Sequence, residues 1–200
     1  TLSCDEIGGD YYDYFYGREC PEDPFSVVVG DVSGHGVEAA LLMTTARAFL
    51  RMRASQCGDI SQIITEMNRQ LAHDVAESGR FMTLSVVRFD LKNRSLRWVR
   101  AGHPPVLIYD PAADRFEELR RGGIPLGVDE NFVYEEHLKS DVAAGHIVVI
   151  GTDGIWEAVD RHGRAYGIER FHDVVRRHYG LMAKDILDAV YADIKAFSLG

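Results

Sequence analysis

The stretch Val27–Gly36, VVVGDVSGHG, joins an apolar run to a carboxylate and a glycine-rich turn, and a helical pattern begins directly after it. The run Phe25–Gly30 is rich in β-branched residues and follows Pro24, which predicts a strand buried on both faces. Across Val37–Gly58 the apolar residues recur at helical spacing, which predicts a long amphipathic helix. Asp31 therefore stands where a buried strand gives way to a helix.

Outward from this stretch, the patterns predict one α+β domain in which helices cover antiparallel sheet. A second helix is expected to begin at Asp59 or Ser61 and to bury one face as far as Leu71. Strands are predicted at Phe81–Asp90, Leu96–Ala101, Val106–Tyr109, Arg115–Leu119, Phe132–Leu138 and Ile147–Ile150, and two final helices at Glu169–His178 and Ala183–Ala196. The short turn between Asp90 and Ser95 favours antiparallel meanders over parallel crossovers.

Composition excludes several classes of function. The 200 residues carry 22 Lys and Arg against 31 Asp and Glu, a net charge of -9, without the clustered basic residues that nucleic-acid binding needs. The aromatic stretch Tyr11–Tyr16 also lacks interleaved basic residues, so we interpret it as a strand packed on the core. The three cysteines form no Cys-x-x-Cys pair, which favours a reducing, cytoplasmic location, and no apolar stretch is long enough to span a membrane.

Three aspartates follow short apolar or glycine-rich runs. Asp10 follows Gly8 and Gly9, Asp31 ends the run already described, and Asp153 follows the stretch Val148–Thr152. Carboxylates gathered at strand ends would suit Mg²⁺ or Mn²⁺, which prefer oxygen ligands. Each aspartate could equally cap a turn or a helix, and spacing alone does not show that the three meet.

The segment Gly34–Ala39 also fits the Gly-x-Gly-x-x-Ala fingerprint of dinucleotide-binding folds, since it lies between a strand and a helix. Such a fold needs a second parallel strand that ends in an acid. The chain at 59–71 is instead predicted to be another helix, which disfavours this alternative.

Five motifs, in order, resemble the bacterial SpoIIE/RsbU type of metal-dependent protein phosphatase, a branch of the PPM superfamily. They are Gly8–Asp13 (GGDYYD), Gly30–Gly36 (GDVSGHG) with Ala39 and Ala40, Ala101–Pro105 (AGHPP), Pro125–Gly127 (PLG) and Thr152–Ala158 (TDGIWEA). The resemblance implies a sandwich of two antiparallel β-sheets flanked by pairs of helices. It implies hydrolysis of phosphoserine or phosphothreonine by a metal-activated water.

The same resemblance assigns roles to the metal-site residues. Asp31 is expected to bridge two Mn²⁺ or Mg²⁺ ions, and the Val32 carbonyl to bind one of them. Asp153 is expected to hold the second ion, and Asp10 to support the first, often through water. His35 is either a general acid or a backbone-bonded loop residue.

The chain departs from the family pattern at both ends. Only Thr1–Ile7 could correspond to the family's first strand, and the terminal Asp-Asp strand has no counterpart before Gly200. The second metal site therefore lacks one carboxylate, and we interpret residues 1–200 as a PPM-type domain truncated at both ends and part of a larger protein.

The resemblance also predicts partners. The substrate is expected to be a phosphorylated STAS-domain anti-anti-sigma protein in bacterial partner switching, and an N-terminal sensor or receiver domain and a homodimer are possible arrangements. The alternative is a catalytically impaired PPM-fold binding or regulatory module, which the missing carboxylate motivates.

Overall fold

The computed structural model describes residues 8–16, 25–54 and 58–199. In chain order the elements are β1 (Tyr11–Phe15), β2 (Phe25–Val32), α1 (Val37–Ala54), α2 (Ile60–Val75), β3 (Met82–Asp90), β4 (Ser95–Ala101), β5 (Val106–Asp110), β6 (Arg115–Leu119), β7 (His137–Lys139), β8 (Ile147–Val149), α3 (Gly154–Glu157), α4 (Ile168–His178) and α5 (Ala183–Leu199). Contacts divide the chain into two compact units. Unit 1 comprises Thr1–Pro105 and Arg120–Ala143, and unit 2 comprises Val106–Leu119 and Ala144–Gly200.

Unit 1 is a five-stranded antiparallel sheet in the order β1-β2-β3-β4-β7, with α1 and α2 packed on one face. In β2 the buried residues alternate with half-buried ones, as the period of a strand requires. β2 packs against α1 and β4 packs against the apolar face of α2, where Ile63, Ile64 and Leu71 are almost fully buried. This two-layer arrangement holds the end of β2, and with it Asp31, in a defined place.

Unit 2 is a three-stranded antiparallel sheet in the order β6-β5-β8, accompanied by α3, α4 and α5. Phe171 and Val174 on α4 pack with Tyr109 of β5 in a separate apolar cluster. A Cβ at Gly151 would lie 2.7 Å from Ile155 Cδ1, so a side chain there would displace the end of the Ile155 side chain.

The prediction of an α+β protein with two antiparallel sheets and flanking helices is confirmed. Every pair of named strands in the described residues is antiparallel, and β2 is followed by two helices. This topology excludes the dinucleotide-binding alternative for these sheets, because that fold requires parallel strands.

The predicted strand Phe132–Leu138 is wrong over most of its length, since β7 covers only His137–Lys139. The reason is that the part of this segment before β7 is held by hydrogen bonds that involve side chains, in place of strand pairing. The Tyr134 backbone N–H donates to Thr65 Oγ1 at 3.1 Å, and the Tyr134 hydroxyl donates to the Ile124 carbonyl at 2.9 Å. An aromatic segment can thus satisfy its polar groups without a strand partner.

Two burial predictions also need correction. Only one face of β2 is fully buried, since Phe25, Val27 and Val29 on the other face are partly exposed. The stretch at Tyr11 does form a strand, but Tyr12 and Tyr14 are 81% and 60% exposed, because alternate residues of an edge strand face away from the helices.

None of the described helices combines the length and the apolar character that crossing a membrane requires.

Candidate metal and phosphate site

The β1–β2 pair brings Asp10 and Asp31 together. Tyr11 pairs with Gly30 in antiparallel register, so the next pair outward is Asp10 with Asp31. The Val32 N–H donates to the Gly9 carbonyl at 3.4 Å, which continues the pairing beyond β1. Directly opposed residues project to the same face, with Cβ atoms about 5 Å apart. The structure therefore places two of the three predicted carboxylates side by side.

Glycine allows this close approach. A Cβ at Gly9 would lie 2.8 Å from the Val32 carbonyl oxygen and 2.9 Å from Val32 Cβ. Any side chain at this position would push the strands apart at the level of Asp10 and Asp31. The lack of a side chain at Gly9 thus leaves space beside the Val32 carbonyl, which is expected from the sequence to bind a metal ion.

The turn after β2 is fastened to the start of β3. The Ser33 N–H donates to the Phe81 carbonyl at 2.9 Å, and the Phe81 N–H donates back to Ser33 Oγ at 3.0 Å. Arg80 Nη1 donates to the Ser33 carbonyl at 2.8 Å, and Arg80 Nη2 forms an ion pair with Glu38 of α1. Sequence analysis missed Arg80, which lies in no recognised motif and acts through contacts distant along the chain.

Gly34 and Gly36 have φ angles of 87° and 81°, which favour glycine. They turn the chain so that α1 begins at Val37, and the Ala40 N–H donates to the Gly36 carbonyl at 3.1 Å. His35 between them is exposed, as a loop residue or a general acid would be. α1 thus begins six residues after Asp31.

Asp13, in the same motif as Asp10, projects to the opposite face. It is 7% exposed, accepts hydrogen bonds from the Tyr11 hydroxyl at 2.8 Å and Arg51 Nε at 2.6 Å, and pairs with Arg51 of α1. Burial acts to raise its pKa, but the hydrogen bonds from Arg51, Tyr11 and the Tyr14 N–H hold that pKa below its ordinary value. Asp13 is therefore an ionised structural anchor between β1 and α1.

Asp153 lies in unit 2, four residues after β8, at the N-cap position of α3. Its backbone carbonyl accepts from the Trp156 and Glu157 N–H groups at 3.1 and 2.9 Å, whereas its side chain makes no cap hydrogen bond. The carboxylate is exposed. Among the described strands β8 pairs only with β5, so β8 is an edge strand. The apolar run before Asp153 had suggested a central strand, and this interpretation is wrong.

The donor chemistry of Asp10, Asp31 and the Val32 carbonyl suits a hard divalent cation, since all three supply oxygen and Mg²⁺ commonly completes its shell with water. Within the described residues no group of three or more His, Cys, Asp or Glu side chains is placed to hold a metal ion. Unit 1 thus fits an ion held by two carboxylates and a carbonyl.

Thr83 of β3 is opposed to Asp31 on the side away from Asp10, and it contacts His103. His103 is 1% exposed, and its Nδ1 lies 2.9 Å from Thr83 Oγ1. The sequence places His103 in the AGHPP motif, whereas no motif includes Thr83. The signal was weak, because Thr83 is one threonine within an otherwise ordinary strand.

Comparison with known proteins gives the family. The sequence profile described as "Stage II sporulation protein E (SpoIIE)" matches residues 21–200. "Phosphoserine phosphatase RsbU" of Bacillus subtilis (strain 168) is 23% identical over 196 residues, which cover 96% of this chain and 55% of RsbU. The chain thus spans about half the length of that relative.

Solved structures share the fold. The SiaA-PP2C domain of Pseudomonas aeruginosa superposes with a TM-score of 0.79 at 24% identity, over 96% of this chain and 75% of that one. RsbX, solved in complex with magnesium, gives a TM-score of 0.68 at 15% identity, over 97% of this chain and 82% of that one. The fold and the profile agree with the five sequence motifs, and the chain belongs to the SpoIIE family.

Proposed function

We propose that this domain is a metal-dependent protein serine/threonine phosphatase. The proposal rests on one observation: Asp10 and Asp31 oppose each other on the same face of the sheet. They lie beside the Val32 carbonyl and the Gly34–Gly36 turn that precedes α1. The name of the RsbU relative, a phosphoserine phosphatase, supports the same reaction class.

The proposed ligands of two Mn²⁺ or Mg²⁺ ions are the carboxylates of Asp10, Asp31 and Asp153 and the carbonyl of Val32. Bound ions of this kind lower the pKa of water and neutralise a phosphoryl group. The magnesium complex of RsbX supports the choice of metal. The second ion is expected to need one further carboxylate.

The residues of the chain supply position and charge. Asp31, near the end of β2, is paired with Thr83 of β3, and the preceding Gly30 is paired with Tyr11 of β1. The first turn of α1 offers backbone N–H groups and the positive end of the helix dipole to a phosphate. His35, exposed beside that turn, is a candidate proton donor to the leaving serine oxygen.

The proposed substrate is a phosphorylated STAS-domain anti-anti-sigma protein in bacterial partner switching. The similarity to RsbU supports this assignment. We also propose a cytoplasmic location, and residues 1–200 as one phosphatase domain of a larger protein that has an N-terminal sensor or receiver domain and can form a homodimer.

The test measures Mn²⁺-dependent phosphate release from a phosphorylated STAS-domain protein and, separately, from a small aryl phosphate, with the full protein that contains residues 1–200. Asp31→Asn is expected to lower both rates by more than ~100-fold, beyond the loss typical of residues that only support a ligand. Asp59→Asn is the matched control, because Asp59 is exposed and its side chain makes no cap hydrogen bond.

The two substrates separate the parts of the proposal. Hydrolysis of the aryl phosphate alone would contradict the STAS assignment and leave the phosphatase intact. If neither substrate is hydrolysed and Asp31→Asn leaves Mn²⁺ binding unchanged, the chain is a binding or regulatory module of the same fold.

A further inference from the structure

The peptide that joins Asp31 to Val32 is held from both sides. Its N–H, on Val32, donates to the Gly9 carbonyl at 3.4 Å. Its carbonyl, on Asp31, accepts from Thr83 Oγ1 at 3.4 Å, across the β2–β3 pair in which these residues are opposed. Because a peptide is planar, these two contacts fix the orientation of the whole unit. That unit carries both the Asp31 side chain and the start of the Val32 backbone.

The Thr83 hydroxyl has one hydrogen. If that hydrogen is donated to the Asp31 carbonyl, the 2.9 Å contact with His103 Nδ1 is one in which the ring N–H donates to the hydroxyl oxygen. In that arrangement His103 is the Nδ1–H tautomer. It also fixes the rotation of the hydroxyl, which would otherwise be free to turn toward other acceptors.

His103 is in turn held in place by its backbone. Arg100 Nη1 donates to the His103 carbonyl at 2.8 Å, and the same guanidinium donates to the carbonyls of Arg120 and Arg121. The preceding Gly102 has φ 66°, and a Cβ there would lie 2.5 Å from Pro125 Cγ. The ring is 1% exposed, so its position is set by packing rather than by solvent.

We propose that Thr83 and His103 act as a positioning pair that orients the Asp31–Val32 peptide, and through it two proposed metal ligands. The inference rests on the proposed function, since it concerns the same metal site. It assigns a role to His103 in the AGHPP motif that is distinct from metal ligation, and it adds Thr83, which no motif marks.

The test is the affinity of the full protein for Mn²⁺ alone, measured by isothermal titration calorimetry without substrate. Thr83→Val keeps the shape of the side chain and removes the hydroxyl, and it is expected to weaken Mn²⁺ binding ~10-fold or more. Thr83→Ser keeps the hydroxyl and is expected to restore most of the affinity. The His103→Asn variant keeps an N–H donor near the position of the histidine Nδ1. It is expected to bind Mn²⁺ more tightly than the His103→Leu variant.

Thr65→Val is the matched control. Thr65 is 8% exposed, and its hydroxyl donates to the Ser61 carbonyl and accepts from the Tyr134 N–H, away from the acid pair. It is expected to lower the melting temperature and leave the Mn²⁺ affinity unchanged. Because Thr83 and His103 act as one unit, the Thr83→Val/His103→Leu double variant is expected to bind Mn²⁺ about as weakly as the weaker single variant.

The outcomes separate the two proposals. If the wild type binds Mn²⁺ in a manner that depends on Asp31 and Thr83→Val binds equally well, the positioning pair is wrong while the metal site stands. Failure of Thr83→Ser to restore affinity would also overturn it, since a lost packing contact would then explain the defect. If the wild type binds no Mn²⁺, both the metal site and the positioning pair are wrong.

Discussion

Asp10 and Asp13 show how residues of one motif acquire opposite roles. They are three positions apart on an extended chain, so they project to different faces of the sheet. Asp10 is exposed and opposes Asp31, whereas Asp13 is buried between Tyr11 and Arg51. Of these two aspartates, only Asp10 is predicted from the sequence to be a metal ligand. The structure gives Asp13 a purely structural set of partners.

Asp13→Asn is expected to lower the free energy of unfolding by about 1–3 kcal/mol, because the Tyr11 hydroxyl and Arg51 lose a charged acceptor. Since the pKa of Asp13 is lowered in the fold, its contribution is present above the ordinary pKa and is lost as the pH falls through the folded value. Urea titration at neutral and acidic pH measures both effects. An unfolding free energy equal to that of the Asp59→Asn control would contradict this role.

At the scale of the element, α4 carries a histidine whose charged form is disfavoured by the fold. The His172 ring stacks on Phe116 of β6 with centroids 3.8 Å apart, and its Nε2 is buried with no hydrogen-bond partner among the described residues. Burial lowers the pKa of His172 below its ordinary value, although Glu169, Glu118 and Asp173 act to raise it and Arg176 acts to lower it. The packing of α4 on β6 thus favours the uncharged ring over the charged one.

Because the folded pKa is lowered, stability is complete above the ordinary pKa of about 6.5 and declines as the pH falls through it toward the folded value. His172→Phe retains the aromatic stack and removes the titration, so its melting temperature is expected to fall less between pH 7 and pH 5 than that of the wild type. The exposed His73→Gln is the control. Equal slopes for wild type and His172→Phe would contradict this interpretation.

At the scale of the whole molecule, the proposed metal binding also bears on the stability of the fold. A ligand that binds only the native state stabilises it, by about 2.7 kcal/mol at a concentration 100 times Kd. Metal binding is therefore measurable as stability as well as activity.

Mn²⁺ is expected to raise the melting temperature, and a chelator is expected to reverse the rise. Asp153→Asn is expected to reduce this Mn²⁺-dependent shift, because one proposed carboxylate ligand is removed. Asp141→Asn, at an exposed loop position, is the control for a general change in charge. An undiminished shift in Asp153→Asn would remove Asp153 from the ligand set.

The elements of this fold were largely readable from local pattern. The long helix after Val37, the amphipathic α2 and the strand Arg115–Leu119 all occur close to where periodicity predicts them. The segment from Phe132 was misassigned because its aromatic run resembles a strand. The hydrogen-bond partners of Tyr134 in this segment, Thr65 and Ile124, are 69 and 10 residues away along the chain.

The sequence by itself determined the secondary structure, the family motifs and the glycine positions, because these depend on residues close together in the chain. Only the tertiary structure decided that Asp10 opposes Asp31, that Asp13 turns inward, and that Thr83 contacts both the Asp31 carbonyl and His103. The physical reason is strand register. A shift of one residue would send every side chain to the other face, and register is set by pairing and burial across the whole sheet.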